Sequence, residues 1–123
     1  MIIVALATAT LASPLLGAGT AQAAGSDVRK SRACSEGSTV KLKAKPDNGR
    51  LEVEAEVDSN VNGQSWSWRL QRNGGLVAQG TNQTKAPSGS FSVHRRIGNP
   101  AGVDTLRFRA THAGEVCVVS LRV

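Results

Sequence analysis

Residues 39–58 read TVKLKAKPDNGRLEVEAEVD, and this stretch decides the fold. Three apolar residues alternate with lysines before a Pro-Asp-Asn-Gly segment, and four apolar residues alternate with acidic ones after it. A period of two places successive side chains on opposite faces of a β-strand, so each half predicts a strand with one buried and one charged face. The segment at 46–49 predicts the turn of a β-hairpin. Across that turn we expect the charged faces to pair Lys43 with Glu52 and Lys41 with Glu54.

The rest of the chain repeats this alternation at short intervals. Residues 65–72 (SWSWRLQR) place two tryptophans and a leucine on one face, and the Asn-Gly pair that follows is a strong hairpin signal. Four further alternating segments lead to the C-terminus. Seven strands, with no amphipathic helix outside the N-terminal segment, predict an all-β fold, a seven-stranded antiparallel β-sandwich. The tryptophans on the third strand favour an immunoglobulin-like arrangement, although the chain has no tyrosine and therefore no tyrosine corner.

The N-terminal segment has the composition of an export signal. Residues 2–20 carry no charge and are rich in Ala, Leu and Thr, and the Ala-Gln-Ala box at 21–23 has the small residues that a signal peptidase requires. We therefore expect a cleaved signal at 1–23, a secreted protein, and no membrane attachment after cleavage. No positive charge follows Met1, so whether Met1 is the true start stays open. A flexible polar segment is expected at 24–33 and a single β-sandwich domain at 34–123.

The two cysteines, Cys34 and Cys117, lie near the two ends of the predicted domain. In an exported protein an isolated pair predicts a disulfide, here one that joins the N-terminal segment to the last strand. These positions differ from those of antibody domains, whose cysteines lie on two inner strands. A zinc site that combines the cysteines with His94 and His112 would match no known zinc spacing, so neither a metal nor another cofactor is expected.

Several short motifs accompany this layout. They are the Trp-Ser-Trp of the third strand, the SGSF segment at 88–91, the FRA segment at 108–110, and one early and one late cysteine. Together with the export signal, this pattern resembles small uncharacterised secreted proteins of high-GC actinobacteria. The resemblance implies a secreted location and an immunoglobulin-like β-sandwich, and it implies no particular activity.

Charge supplies the main functional clue. The chain has 15 basic and 9 acidic residues, a formal net charge of +6. The alternation turns four arginines outward on the third, sixth and seventh strands, which would form a basic face if these strands share a sheet. Arginine binds carboxylates and phosphates through its planar fork, so the predicted partner is an anionic polysaccharide of the cell envelope or an acidic protein. Nucleic acid is not expected, because no aromatic residue is interleaved for base stacking. The candidate binding residues are Arg69, Arg107, Arg109 and Arg122.

Several features of the sequence have more than one interpretation. The basic face could serve solubility alone, and Trp66 and Trp68 could form a sugar platform, although their shared alternation with Leu70 favours the core. The loop 80–89, with a single lysine, could present an extended segment to a protease, so a secreted protease inhibitor is the alternative function. No acid, base and nucleophile motif is present, so we expect no enzyme. The sequence leaves the oligomeric state open.

Overall fold

The computed structural model describes residues 27–99 and 102–123. The predicted export signal at 1–23 lies outside these residues. Within them, no helix is long and apolar enough to cross a membrane. The eight strands of this part of the chain are β1 (Val28–Ala33), β2 (Thr39–Asp47), β3 (Arg50–Asp58), β4 (Ser65–Arg72), β5 (Gly75–Gln83), β6 (Ser90–Gly98), β7 (Thr105–His112) and β8 (Glu115–Arg122).

The strands form two antiparallel four-stranded sheets, with the orders β1-β2-β3-β6 and β5-β4-β7-β8. The predicted all-β sandwich is therefore confirmed. The seven predicted strands correspond to β2–β8. In that count, the first, second and fifth strands (β2, β3 and β6) share one sheet, and the fourth, third, sixth and seventh (β5, β4, β7 and β8) share the other. The third, sixth and seventh strands lie together, as in an immunoglobulin-like sandwich, but the fourth strand pairs with the third and not with the fifth. The third, sixth and seventh strands of the prediction (β4, β7 and β8) do lie side by side.

The eighth strand, β1, is the main departure from the predicted fold. It pairs with β2 from Val28 opposite Ala44 to Ala33 opposite Thr39, where a flexible segment was expected. Five of its six residues are exposed, so its side chains show no apolar alternation. β1 forms because its backbone pairs with β2, the edge of the sheet that β2, β3 and β6 form. Alternation of apolar and polar residues in the sequence cannot predict such pairing.

The β2–β3 hairpin confirms the predicted faces but corrects their register. Its turn has only two residues, Asn48 and Gly49, whose positive φ angles of 52° and 75° are those of a type I′ turn. Pro46 and Asp47 therefore belong to β2. Pro46 is tolerated because β1 begins with Val28 opposite Ala44, so β1 does not extend alongside Pro46. The predicted pairs Lys43–Glu52 and Lys41–Glu54 were wrong by two residues. The structure pairs Lys43 with Glu54 at 3.4 Å and Lys41 with Glu56 at 3.8 Å.

The inner faces of both sheets form one apolar core. Trp66 and Trp68 are 0% and 3% exposed, which confirms their core role. Their indole N–H groups donate to Gln64 Oε1 at 3.2 Å and to Asn82 Oδ1 at 2.8 Å, so burial leaves neither donor without a partner. A sugar platform on these tryptophans is not consistent with this burial.

The predicted disulfide between Cys34 and Cys117 is present. It joins the residue after β1 to the middle of β8 and closes one side of the sandwich. Beside it, the backbone N–H of Ser35 donates to the carbonyl of Val116 at 3.0 Å, which ties the loop to the edge of β8. The opposite side of the sandwich, between the edges of β5 and β6, has no such link among the described residues.

Glu115 provides a second tie on the closed side. This carboxylate is 9% exposed and accepts hydrogen bonds from Ser38 N at 2.9 Å, Ser38 Oγ at 2.9 Å and Glu36 N at 3.1 Å. Burial alone would raise the pKa of Glu115, but these hydrogen bonds to the charged form outweigh it and lower the pKa. The loop before β2 is therefore held to β8 by a charged group as well as by a covalent bond.

Candidate anion-binding site

Four exposed arginines lie on the outer face of the β5-β4-β7-β8 sheet, where the alternation predicted them. Arg69 of β4 lies directly opposite Arg109 of β7. Arg107 lies opposite Gln71 of β4, and Arg122 of β8 lies opposite Thr105 of β7. The outer surface that carries Arg69, Arg107, Arg109 and Arg122 is called the arginine face below.

The register makes the arginine face continuous. Directly opposite residues have Cβ atoms about 4.5–5.5 Å apart, and diagonal neighbours lie about 7–8 Å apart. Arg107 is the diagonal neighbour of Arg69 across the β4–β7 pair, and Arg122 is the diagonal neighbour of Arg107 across the β7–β8 pair. Each arginine is thus adjacent to at least one other, so the four form a single patch.

No acidic side chain shares the arginine face. All nine acidic residues lie in the described part of the chain, and none of the ion pairs found there involves the four arginines. The arginine face therefore carries four of the protein's positive charges with no acid to offset them. The acids lie on the outer face of β2 and β3 (Asp47, Glu52, Glu54, Glu56, Asp58), before β1 (Asp27), in the loop before β2 (Glu36), or in buried positions (Asp104, Glu115).

The two outer faces of the sandwich are thus organised differently. On the β2–β3 face lysines stand opposite glutamates, and such cross-strand pairs favour the fold. On the arginine face, Arg69 stands opposite Arg109, and like charges in that position destabilise a sheet. A bound anion between the two guanidinium groups would replace this repulsion by charge-assisted hydrogen bonds.

The Arg69–Arg109 pair lies in a shallow depression of about 390 Å³. Uncharged polar side chains surround it and offer hydroxyl and amide groups to further polar atoms of a ligand. Of these, the residues on β5 were not among the predicted site residues. A regular register from the Asn-Gly turn would place Ala78 opposite Arg69, and only the β-bulge between Leu70 and Gln71 brings Gln79 there. The polar side chains that line the depression are Ser67, Gln79, Thr81 and Thr111.

The two histidines lie far apart and have separate contacts. His94 is on the outer face of β6, with Nε2 3.4 Å from a carboxylate oxygen of Glu54. His112 stacks on Trp66 with ring centroids 5.4 Å apart, and its Nδ1 lies 2.7 Å from the carbonyl of Ser65. His112 therefore covers one end of the core. Among the described residues, no group of three or more His, Cys, Asp and Glu side chains is arranged to hold a metal ion.

The loop predicted at 80–89 is shorter and more compact than the sequence indicated. Residues 80–83 belong to β5. The remainder is a tight turn, in which Lys85 N donates to the carbonyl of Ser90 and Gly89 N donates to the carbonyl of Lys85, both at 2.9 Å. A Cβ atom on Gly89 would lie 2.3 Å from the backbone nitrogen of Val61, so the turn packs directly against the preceding loop. Protease inhibition stays a prediction, and this conformation presents no extended segment for it.

Comparison with known proteins adds no relative from which a function could be inferred. The chain matches no protein-family model, no curated protein and no solved structure. The similarity to small secreted actinobacterial proteins therefore stays a prediction. The arrangement of side chains is the basis for the functional proposal.

Proposed function

We propose that this protein is a secreted, non-enzymatic binding module for anionic polymers of the cell envelope, with the arginine face as its binding surface. The observation that carries the proposal is the Arg69–Arg109 pair, which stands directly opposed on a face without any acid. Solubility alone does not require such an arrangement, since interspersed charges of both signs serve it without repulsion, as on the β2–β3 face.

The extent of the face favours a polymer over a small anion. With strands about 4.8 Å apart and about 6.8 Å between alternate residues along a strand, Arg122 lies roughly 17 Å from Arg69. A small carboxylate or phosphate would occupy only the Arg69–Arg109 depression. A chain with repeated negative charges would reach all four arginines. An acidic protein surface is the other partner that could span the same distance.

The disulfide supports the secreted part of the proposal. Disulfides persist in oxidising compartments and are rare in the cytosol, so the Cys34–Cys117 bond is consistent with a protein that functions outside the cell. Envelope polymers with carboxylate or phosphate groups are the polyanions that such a protein would meet in quantity.

Retention on immobilised polyanions tests the proposal. The purified protein is applied at low salt to polygalacturonate, which carries carboxylates, and to polyphosphate, and is eluted with a salt gradient. We expect retention on at least one of them and loss of that retention in the double variant Arg107→Glu/Arg109→Glu. The variant should fold, because the glutamate introduced on β7 opposite Arg69 would form a favourable cross-strand pair with it.

A matched control separates the arginine face from net charge alone. The double variant Lys30→Glu/Arg32→Glu changes the net charge by the same amount on β1, where neither residue forms an ion pair with any described residue. This control variant should keep most of the wild-type retention on the immobilised polyanion. Equal loss in both double variants, or no salt-sensitive retention of the wild-type protein on either polymer, would refute the proposal.

A further inference from the structure

The free edge of β5 is unlike the other sheet edges of this protein. β5 is the terminal strand of its sheet and pairs only with β4. Its nine residues, GLVAQGTNQ, include no charged residue and no proline. On the free side, backbone N–H and C=O groups point away from the sheet and can pair with another strand. The β-bulge is confined to the end next to the hairpin turn, so residues 78–83 keep a regular register.

The other edges carry the protection that natural sheets use against pairing. Charged side chains and covering segments are two such devices. β8 is covered, because β1 and the loop after it lie against it through the Ser35–Val116 hydrogen bond and the disulfide. β5 alone, among the terminal strands of the described part of the chain, has neither charge nor cover. The charged or titratable residues of the other two edges are Arg29, Lys30 and Arg32 on β1 and His94, Arg95 and Arg96 on β6.

The space beside β5 is open to an incoming strand. A groove of about 520 Å³ runs between the last half of β5 and the first half of β6. Because β5 and β6 belong to different sheets, no ladder of hydrogen bonds fills it. Apart from Lys85 and the ring of Phe91, its lining consists of small or uncharged polar side chains: Thr81, Asn82, Gln83, Ser90 and Ser92.

We propose that two copies of this protein associate through β5, in antiparallel pairing about a two-fold axis that joins two four-stranded sheets into one of eight strands. The lack of charge on β5 favours an uncharged strand as the occupant, and β5 of a second copy is such a strand. An acidic or basic peptide would find no opposite charge on β5, whereas two uncharged strands meet without any unpaired charge. A two-fold contact also places the same surface on both sides, as most soluble homodimers do.

Repulsion between the two arginine faces does not prevent this pairing. Arg69 lies one strand in from the edge, so the two copies of Arg69 would be separated by three strand spacings, about 14 Å. This exceeds the Debye length of about 8 Å at physiological ionic strength. Pairing through β6 would instead bring Arg95 and Arg96 next to their own copies.

The dimer would double the binding surface. The outer faces of the joined sheets lie on one side, so eight arginines would form one extended basic surface. A polymer that spans both halves gains affinity because its second contact is intramolecular. This consequence rests on the proposed function, but the dimer itself does not, and its test uses no polymer.

Sedimentation equilibrium over a range of protein concentrations tests the dimer. We expect a reversible monomer–dimer equilibrium that strengthens as salt is added, because both copies carry a charge of +6 and the interface holds no ion pair to be screened. Thr81→Lys, which adds a charge to the edge, should weaken association by about tenfold or more. Thr105→Lys adds the same charge to the same sheet face on the inner strand β7, and it should leave association near the wild-type level.

Cysteine cross-linking locates the contact. Both native cysteines are in the disulfide, so a single added cysteine is the only free thiol. Among Gln79→Cys, Thr81→Cys and Gln83→Cys, the variant nearest the two-fold axis should form a covalent dimer under mild oxidation, and Ser92→Cys on β6 should not. A protein that stays monomeric at the highest soluble concentration, or a dimer that is insensitive to Thr81→Lys, overturns the proposal. Cross-linking through position 92 alone would also overturn it.

Discussion

The direct opposition of Arg69 and Arg109 predicts that part of the arginine face works against folding. The two residues are cross-strand partners, and both side chains are exposed. For two guanidinium groups roughly 8 Å apart in water, Coulomb's law gives a repulsion of about 0.5 kcal/mol at low salt. We therefore expect Arg109→Gln to raise the free energy of unfolding by about this amount, and the melting temperature by about 2–4 °C.

A double-mutant cycle isolates this repulsion from other effects of the substitutions. The free energies of unfolding of wild type, Arg69→Gln, Arg109→Gln and the double variant are measured by urea denaturation at low salt and again at high salt. The coupling should be unfavourable by about 0.5 kcal/mol at low salt and should nearly vanish at about 1 M salt, where the Debye length is about 3 Å.

The opposite face of the sandwich supplies the control. Lys41 and Glu56 are also cross-strand partners, with Nζ and Oε1 3.8 Å apart. Their cycle, through Lys41→Gln and Glu56→Gln, should show a favourable coupling of about 0.2–1 kcal/mol that salt also weakens. A coupling between Arg69 and Arg109 that is zero or favourable at low salt, or that does not respond to salt, would refute the reasoning.

Two further predictions concern the closed side of the sandwich. Because the folded state lowers the pKa of Glu115, the contribution of Glu115 to stability is complete above its ordinary pKa of 4.5 and is lost as the pH falls through the lower folded value. Glu115→Gln should therefore lower the free energy of unfolding by about 2–3 kcal/mol at neutral pH and flatten the acid side of the stability curve. Equal pH profiles of stability for wild type and variant would contradict this prediction. The disulfide spans 83 residues of sequence, so Cys34→Ser/Cys117→Ser should lower the free energy of unfolding, measured by chemical denaturation, by about 4–5 kcal/mol. A loss below about 1 kcal/mol would contradict this prediction, because it would mean that the unfolded chain is restrained even without the disulfide.

The candidate site could be predicted only in part. Alternation placed each of the four arginines on an outer face, because the side-chain period of a strand is a local property. It could not show that Arg69 faces Arg109, since these residues are distant in sequence and meet only through the β4–β7 register. The β2–β3 register was also missed, although the hairpin is local, because a two-residue turn and a four-residue turn leave the same residues on the same faces.

The sequence by itself determined which side chains are buried and which are solvated. The period of two that begins in residues 39–58 recurs in β4, β6 and β7, and burial of these apolar faces favours two packed sheets. The cysteine pair likewise needed only its composition and position to predict a bond.

Only the tertiary structure decided what lies next to what. Backbone pairing made β1 a strand without any apolar pattern, and it brought Glu115 onto Ser38 beside the disulfide. The same long-range pairing left β5 with a free, uncharged edge and gathered four arginines without an acid among them. Register between distant strands depends on how the two inner faces pack together, and no single strand contains that information.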